Sequence, residues 1–188
     1  EPETGGEMTE HRIADPGPLG LAGFAMTTFC LSTANAHLWS ANGAGAALSL
    51  ALIYGGLVQL LAGMWEFVRK NTFGALAFSS YGAFWIGLYI LLNIVKSPGS
   101  VAVYLLAWTI FTFYMWMASF YLSKGLLVLF TVLEVTFVLL TIGNWGSGHV
   151  GLVKAGGWLG ILTALVAWYI SAAGVVNEHA GRKVLPIA

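Results

Sequence analysis

Six long apolar stretches dominate this chain of 188 residues. They cover residues 19–39, 45–68, 73–95, 101–122, 125–143 and 152–176. An α-helix needs roughly 20 residues to cross the hydrocarbon core of a bilayer, and each stretch is close to that length. The pattern therefore predicts an all-α integral membrane protein with six transmembrane helices.

Charged residues are scarce in this chain. Only 9% of its residues are charged and 58% are hydrophobic, whereas a soluble domain carries roughly 25% charged residues. Its eight basic residues are spread over several loops, so we expect no nucleic-acid partner. The single cysteine, Cys30, excludes an internal disulfide and a cysteine-built metal site.

The six spans divide the chain into three parts. Residues 1–14 form a polar, acidic N-terminal tail without the basic-then-apolar order of a secretory signal. Residues 15–176 form the transmembrane domain, and residues 177–188 form a C-terminal tail. An even number of spans places both tails on the same side of the membrane.

Basic residues are distributed unequally between the two sides of the predicted bundle. The side of the termini carries Arg12, Arg69, Lys70, Lys124, Arg182 and Lys183, and the other side carries Lys96 and Lys154. Cytoplasmic loops carry an excess of Lys and Arg. We therefore expect both termini in the cytoplasm and the protein in the cell membrane (the inner, or cytoplasmic, membrane).

Small residues recur at helical spacing within two of the spans. Ala47, Ala51 and Gly55 lie four residues apart in the second span, and Gly156 and Gly160 repeat that spacing in the sixth. Such residues let transmembrane helices approach closely. The pattern favours tight packing within one bundle, and packing between subunits is the alternative.

A stripe on the first span combines polar and aromatic side chains. Phe24, Thr28, Leu31 and Asn35 share one helical face, which suits a narrow, partly hydrated pathway. Alternatively, Thr28 bonds its own backbone and Asn35 caps the helix. In the second span, Gln59 is placed either to contact a substrate or to bridge to another helix.

Two acidic residues fall within predicted spans. Glu134 lies near the middle of the fifth span, where a charged group is costly; it is either a proton-linked group beside the pathway or a bonded acid that joins helices or subunits. Glu66 lies near the end of the second span, close to Arg69. A proton-linked role and an ordinary ion pair with Arg69 are both open for it.

The sequence offers no sign of an enzyme. We find no pairing of a nucleophile with a base and no metal-ligand spacing, and we expect no cofactor. His11 and His179 lie outside the spans, and His37 and His149 lie at span ends, so histidines do not face one another across the bundle as haem ligation requires. A sensor or scaffold that does not transport remains an alternative to a transporter.

The start of the first span carries a recognisable motif. Residues 15–21 read DPGPLGL and resemble the N-P-A-P-L-G-L signature of the acetate uptake transporter family, the succinate–acetate permeases, with Asp15 in place of Asn. Further blocks resemble that family in the same order: Tyr54-Gly55-Gly56, Gln59, Ala62-Gly63, Glu66, 71–74 (NTFG), 80–85 (SYGAFW), 142–144 (IGN) and 177–186 (NEHAGRKVLP). Together they cover almost the whole chain.

This resemblance implies a protein that transports acetate and possibly other small carboxylates such as succinate. It implies a six-helix protomer assembled as a homohexamer in the lipid bilayer, with one pathway through each protomer. The family's pathway narrows at three side chains, which correspond here to Phe24, Tyr81 and Leu133. A passive anion channel and a proton-coupled carrier are both compatible with it.

The resemblance also implies where a carboxylate is contacted. The start of the first helix, with Leu19 and Gly20, and the pair Thr27 and Thr28 are the expected positions. Helix amides, hydroxyls and amide side chains would replace water there, because no Lys or Arg falls within the core of any span.

Overall fold

The computed structural model describes residues 13–39 and 44–187, and its regular elements in these ranges are all helical. We number the helices α1 (Gly17–Asn35), α2 (Ala44–Val68), α3 (Thr72–Val95), α4 (Val101–Ser119), α5 (Lys124–Gly143) and α6 (Val150–Ala180). They confirm the six predicted helices. The polar tail up to residue 12 and the connection at residues 40–43, between the first two predicted spans, lie outside the described residues.

Five of the six helices are long and apolar enough to cross a membrane. The exception is α1, which has 19 residues and buries four hydroxyl side chains, those of Thr27, Thr28, Ser32 and Thr33. The sixth helix is longer than its predicted span, because it continues to Ala180 before Gly181 turns the chain with a φ of 62°. That conformation suits glycine at the end of a helix.

Polar side chains cap the starts of two helices. The side chain of Asn71 accepts a hydrogen bond from the Gly74 amide at 3.1 Å and caps the start of α3. Ser123 does the same for α5 through the Leu126 amide at 3.3 Å. Such caps satisfy amides that have no partner within the helix.

A π-helical turn interrupts α2 at Ile53–Val58. This turn lies against α1, where a side chain at Gly23 would approach the Tyr54 carbonyl oxygen to 2.6 Å. Only glycine permits this contact between the backbones of the two helices. Wide turns of this kind often occur at functional sites.

The first helix packs most extensively against the last. A Cβ atom at Gly160 would lie 2.9 Å from the Cβ atom of Ser32, and the Ser171 hydroxyl donates a 2.7 Å hydrogen bond to the Pro18 carbonyl. The expected role of small residues in packing within one bundle is confirmed at Gly160, and in α2 at Gly55, which faces Thr27.

Aromatic side chains fill the centre of the bundle around Tyr81. The ring centroid of Tyr81 lies 5.7 Å from that of Phe24 and 5.3 Å from that of Phe111. Further aromatic neighbours of this ring are Trp108, Phe130 and Phe137. One tyrosine of α3 is therefore in contact with aromatic side chains of α1, α4 and α5.

Successive connections between helices lie at alternate ends of the bundle. The first and last described segments lie at the same end, as expected for an even number of helices. Asp15, Arg69, Ser123 and Ile187 line one cavity at what we call the terminal end. The opposite end is formed by the end of α1, the α3–α4 connection and the α5–α6 loop, which line another cavity.

Candidate functional site

Three cavities follow one another along the bundle. The terminal cavity, of about 330 Å³, opens beside Asp15 and Arg69 and contains Gln59 and Glu66. The middle cavity, of about 300 Å³, is lined by Thr28, Asn35, Trp85 and other residues of α1, α3, α4 and α5. The vestibule, of about 500 Å³, lies at the opposite end and is lined by His37, Gly99, Trp145 and His149, among others.

Phe24 and Leu133 separate the terminal cavity from the middle cavity, because both residues line both cavities. Tyr81 lines the terminal cavity and packs on Phe24. These three side chains are 5%, 4% and 3% exposed, respectively. The structure thus brings together the three residues that the family resemblance assigned to a constriction, one each from α1, α5 and α3.

The Tyr81 hydroxyl has a partner on α4. It lies 2.9 Å from the hydroxyl of Thr112, which is fully buried. The sequence gives no reason to choose Thr112 as this partner, because hydropathy does not reveal which helices are neighbours. With this bond formed, the tyrosine presents its ring to the terminal cavity.

An ion pair lies at the mouth of the terminal cavity. The Asp15 carboxylate accepts a hydrogen bond from the Gly17 amide at 2.9 Å and pairs with the Arg69 guanidinium. Of the two alternatives for Glu66, the ion pair with Arg69 is not formed among the described residues. Glu66 is 1% exposed and accepts a 2.9 Å hydrogen bond from Asn71, because its side chain points into the bundle whereas that of Arg69 is 37% exposed.

Polar atoms without a protein partner flank Phe24. Both amide atoms of Gln59, which is 1% exposed, have none among the described residues, nor has the hydroxyl of Thr28. The alternative readings, a helix bridge for Gln59 and a backbone bond for Thr28, are therefore not realised. Buried polar groups are nearly always bonded, so these two are suited to contact a solute or water.

Trp85 is a further candidate that sequence reasoning missed. It lines the middle cavity, and its indole N–H is buried without a partner in the described part of the chain. An indole N–H only donates, so it suits a carboxylate oxygen. Trp85 belongs to the block 80–85 that resembles the family, but a tryptophan in an apolar span is equally typical of helix packing.

Three of the residues expected to contact a carboxylate line neither the terminal nor the middle cavity. Leu19 is 45% exposed, Gly20 faces the ring of Phe78, and Thr27 bonds the Gly23 carbonyl at 2.9 Å. The reason is helical spacing. The cavity face of α1 carries the predicted stripe Phe24, Thr28, Leu31 and Asn35, and Leu19, Gly20 and Thr27 lie on other faces.

Glu134 also lies off both cavity walls. Its neighbour Leu133 faces the cavities, so Glu134, one residue along the helix, is rotated away from them. The side chain is half-buried, and one carboxyl oxygen is buried without a partner among the residues described. Of the two candidate proton-linked acids, only Glu66 lines the terminal cavity, and Glu134 lines neither the terminal nor the middle cavity.

The C-terminal segment folds back onto the mouth of the terminal cavity. The Asn177 side chain accepts hydrogen bonds from the amides of Val184 and Leu185, at 2.7 and 2.9 Å, and donates one to the Leu185 carbonyl at 2.8 Å. This clamp places Ile187 in the cavity wall. The predicted C-terminal tail is thus part of the candidate site.

Comparison with known proteins shows a matching family and similar proteins that are named as transporters. The chain matches the GPR1/FUN34/yaaH family over residues 2–187. The succinate-acetate/proton symporter SatP of Escherichia coli (strain K12) is 37% identical over 187 residues, which cover 96% of this chain and 98% of that protein. The ammonia transport outward protein 2 of Saccharomyces cerevisiae is 42% identical over 181 residues, and the match spans 64% of its length.

A solved structure has the same fold. The structure of the bacterial acetate channel SatP superimposes on this chain with a TM-score of 0.89 at 37% identity, covering 94% of this chain and all of that one. The likeness extends over the six helices and includes the helices that form the terminal and middle cavities.

Proposed function

Because this chain belongs to the GPR1/FUN34/yaaH family, we propose that it is a transporter of acetate and other small carboxylates such as succinate, and not an enzyme. One observation carries the proposal. Two cavities within the protomer meet at Phe24 and Leu133, and each holds buried polar groups that have no partner among the residues the structure describes. This arrangement suits a small polar solute that passes an apolar narrow point.

The transported carboxylate crosses the middle of the bundle without a fixed countercharge. No Lys or Arg lies on the described wall of the middle cavity. The Thr28 hydroxyl, the Asn35 amide and the Trp85 indole replace part of its water there, and Gln59 does so on the other side of Phe24. Dipoles hold an anion weakly, which favours rapid release.

The narrow point selects by size. Phe24, Tyr81 and Leu133 are large apolar side chains whose approach excludes water, so the pathway opens only for small solutes and can close by dewetting. On this basis acetate passes more readily than succinate.

The orientation and assembly complete the proposal. Both termini lie on the cytoplasmic side of the cell membrane. The terminal end carries Arg69, Lys70 and Lys124 and the opposite end carries Lys96 and Lys154, and the side with more basic residues is the cytoplasmic one. Six protomers form a homohexamer with one pathway each, as the resemblance to the acetate uptake transporter family implies.

Labelled-acetate uptake tests this function. The purified protein is placed in liposomes, and uptake is followed with and without an imposed proton gradient. Accumulation beyond that in empty, gradient-matched liposomes indicates proton coupling, as in the name of the SatP symporter. Equilibration that ignores the gradient indicates a passive channel. Uptake no greater than in empty liposomes overturns transport and leaves a carboxylate sensor.

A further inference from the structure

We propose that residues 181–187 form a hinged strap that opens and closes the side of the terminal cavity. This inference rests on the proposed transport function and adds a gate to it. The strap follows α6 and carries Ile187 to the cavity wall. It is separate from the narrow point at Phe24 and Leu133, which lies between the terminal and middle cavities.

The terminal cavity has a neighbouring space on the outside of the bundle. A cleft of about 430 Å³, which we call the lateral cleft, lies between α5 and α6 and is lined by the exposed side chains of Val128, Leu165 and Tyr169, among others. Ile170 and Ile187 line both the lateral cleft and the terminal cavity. These two side chains therefore form the wall between the two spaces.

The wall depends on the strap because α5 has no side chain at this point. Gly125 lines the lateral cleft, and a Cβ atom there would lie 3.2 Å from the Cγ2 atom of Ile187 and 3.5 Å from the Cδ1 atom of Ile170. The Ile187 side chain thus fills the space beside Gly125. Ile170 belongs to α6 and is fixed by its helix, whereas the position of Ile187 depends on the strap.

Few hydrogen bonds hold the strap in place. In the part of the chain described, those that reach residues 182–187 all come from two side chains of α6. Asn177 makes the three bonds of the clamp, and the Tyr169 hydroxyl donates a 2.9 Å bond to the Pro186 carbonyl. Most residues of the strap are exposed. Asn177 is therefore the main latch.

These interactions suit a segment that opens while the bundle stays folded. Segments with little buried apolar surface and with exposed hydrogen bonds open locally at a low cost in free energy. The strap begins at Gly181, where the chain leaves α6, and Ile187 packs against the buried core. Release of the Asn177 bonds lets Ile187 leave this contact and joins the terminal cavity to the lateral cleft.

The lateral cleft extends to the membrane surface. Lys124, the first residue of α5, lines it, and a lysine near the end of a transmembrane helix places its charge at the membrane–water interface. Opening of the strap therefore admits water and small carboxylates to the terminal cavity.

Thiol labelling measures this opening without transport. In a Cys30→Ser background, which removes the only cysteine, Ala77→Cys places one thiol on the wall of the terminal cavity. Mass spectrometry follows its reaction with iodoacetamide in detergent. We expect Asn177→Ala and Ile187→Ala each to speed the reaction about three- to tenfold, because either change opens the wall. Glu178→Gln, at the next position and outside the clamp, should leave the rate unchanged.

Two further variants separate the strap from a general loosening of the protein. Ala102→Cys, on the wall of the vestibule at the opposite end, should react at the same rate with and without Asn177→Ala. Gly125→Ala/Ile187→Ala should return the thiol at position 77 toward its wild-type rate, because the added methyl group lies where Ile187 ended. A rate at position 77 that does not respond to Asn177→Ala, or an equal acceleration at both positions, would overturn the proposal.

A reversible cross-link tests the hinge during transport. In the Cys30→Ser background, Gly125→Cys/Ile187→Cys brings two thiols within reach of a disulfide. We expect oxidation to lower acetate uptake by about threefold or more, because a closed lid limits the rate, and dithiothreitol to restore it. Equal uptake in the oxidised and reduced protein would indicate a fixed wall and overturn the gate, and a pair that fails to oxidise would contradict the contact. If neither form takes up acetate, the transport function fails, and the labelling at position 77 still decides whether the strap opens.

Discussion

The hydroxyls of Tyr81 and Thr112 lie 2.9 Å apart, between α3 and α4, and both residues are buried. Thr112 lines neither the terminal nor the middle cavity. A bond formed outside the cavities therefore fixes the ring that packs on Phe24. The shape of the narrow point depends on a helix that contributes no side chain to it.

Removal of the Thr112 hydroxyl should destabilise the protein more than removal of the Tyr81 hydroxyl. In Thr112→Val the buried tyrosine hydroxyl loses its partner, at a cost of about 1–3 kcal/mol. In Tyr81→Phe the threonine can turn to a carbonyl of its own helix, so the loss is smaller. Thermal unfolding in detergent gives both values. The double variant should cost less than the sum of the two, and strict additivity would contradict the bond.

Truncation of Phe24 should widen the pathway. We expect Phe24→Ala to raise the uptake of butyrate relative to acetate several-fold, because the side chain that both cavities share is lost. Phe29→Ala is the matched control, since Phe29 lies on the same helix and packs on Trp168. Liposome uptake of the two acids gives the ratio. An equal change in the two variants would show that Phe24 does not set selectivity.

The indole N–H of Trp85 should contribute to acetate binding. Trp85→Phe keeps an aromatic ring in the middle cavity and removes the only donor of that side chain. We expect the acetate concentration for half-maximal uptake to rise about three- to tenfold, the equivalent of about 1 kcal/mol for one hydrogen bond. Trp108→Phe, in the neighbouring aromatic cluster, should leave this concentration unchanged. A reversed order of the two effects would exclude Trp85 as a donor.

Neutralisation of Asp15 should strengthen the attraction of anions to the terminal cavity. In Asp15→Asn the Arg69 guanidinium loses its partner and is free for a carboxylate. Exposed pairs are worth up to about 1 kcal/mol, so we expect apparent acetate affinity to rise by up to about fivefold. Arg69→Gln should lower it. Lys70→Gln, at the next position but off the cavity wall, should not alter it, and a similar loss in both basic variants would indicate a general effect of charge.

The two acids within the spans should behave differently toward pH. Glu66 lines the terminal cavity and Glu134 does not, so Glu66→Gln should flatten the pH profile of acetate uptake between pH 5 and 8. Glu134→Gln should keep the profile and change only thermal stability. A flattened profile in Glu134→Gln alone would assign the proton-linked role to α5.

Features set by one helix at a time could be predicted from the sequence. The six spans follow from hydropathy, and the stripe from Phe24 to Asn35 follows from the helical period, since every member lines a cavity. The helical period alone does not decide whether Thr27 or Thr28 faces the cavity. The two residues are adjacent, and only the position of α2 against Gly23 and Thr27 decides which of them faces the cavity.

Features that depend on neighbouring helices could not be predicted. The bond from Tyr81 to Thr112 and the pair of Asp15 with Arg69 join positions whose proximity no periodicity reveals. The π-helical turn at Ile53–Val58 lies against α1 and has no local signal beyond its two glycines. The C-terminal segment folds back to place Ile187 in the wall of the terminal cavity because Asn177 binds its backbone. From the sequence alone, Asn177 is an ordinary polar residue near a helix end.

The bond between Pro18 and Ser171 joins positions 153 residues apart. During synthesis α1 enters the membrane long before α6 exists, and Ser32 has no Gly160 to cover it. Polar groups are poorly tolerated by lipid, and α1 lacks the apolar character of the other five helices. The packing of α6 therefore covers polar groups of α1 that would otherwise meet lipid, and variants at Gly160 or Ser171 should lower the yield of folded protein in the membrane.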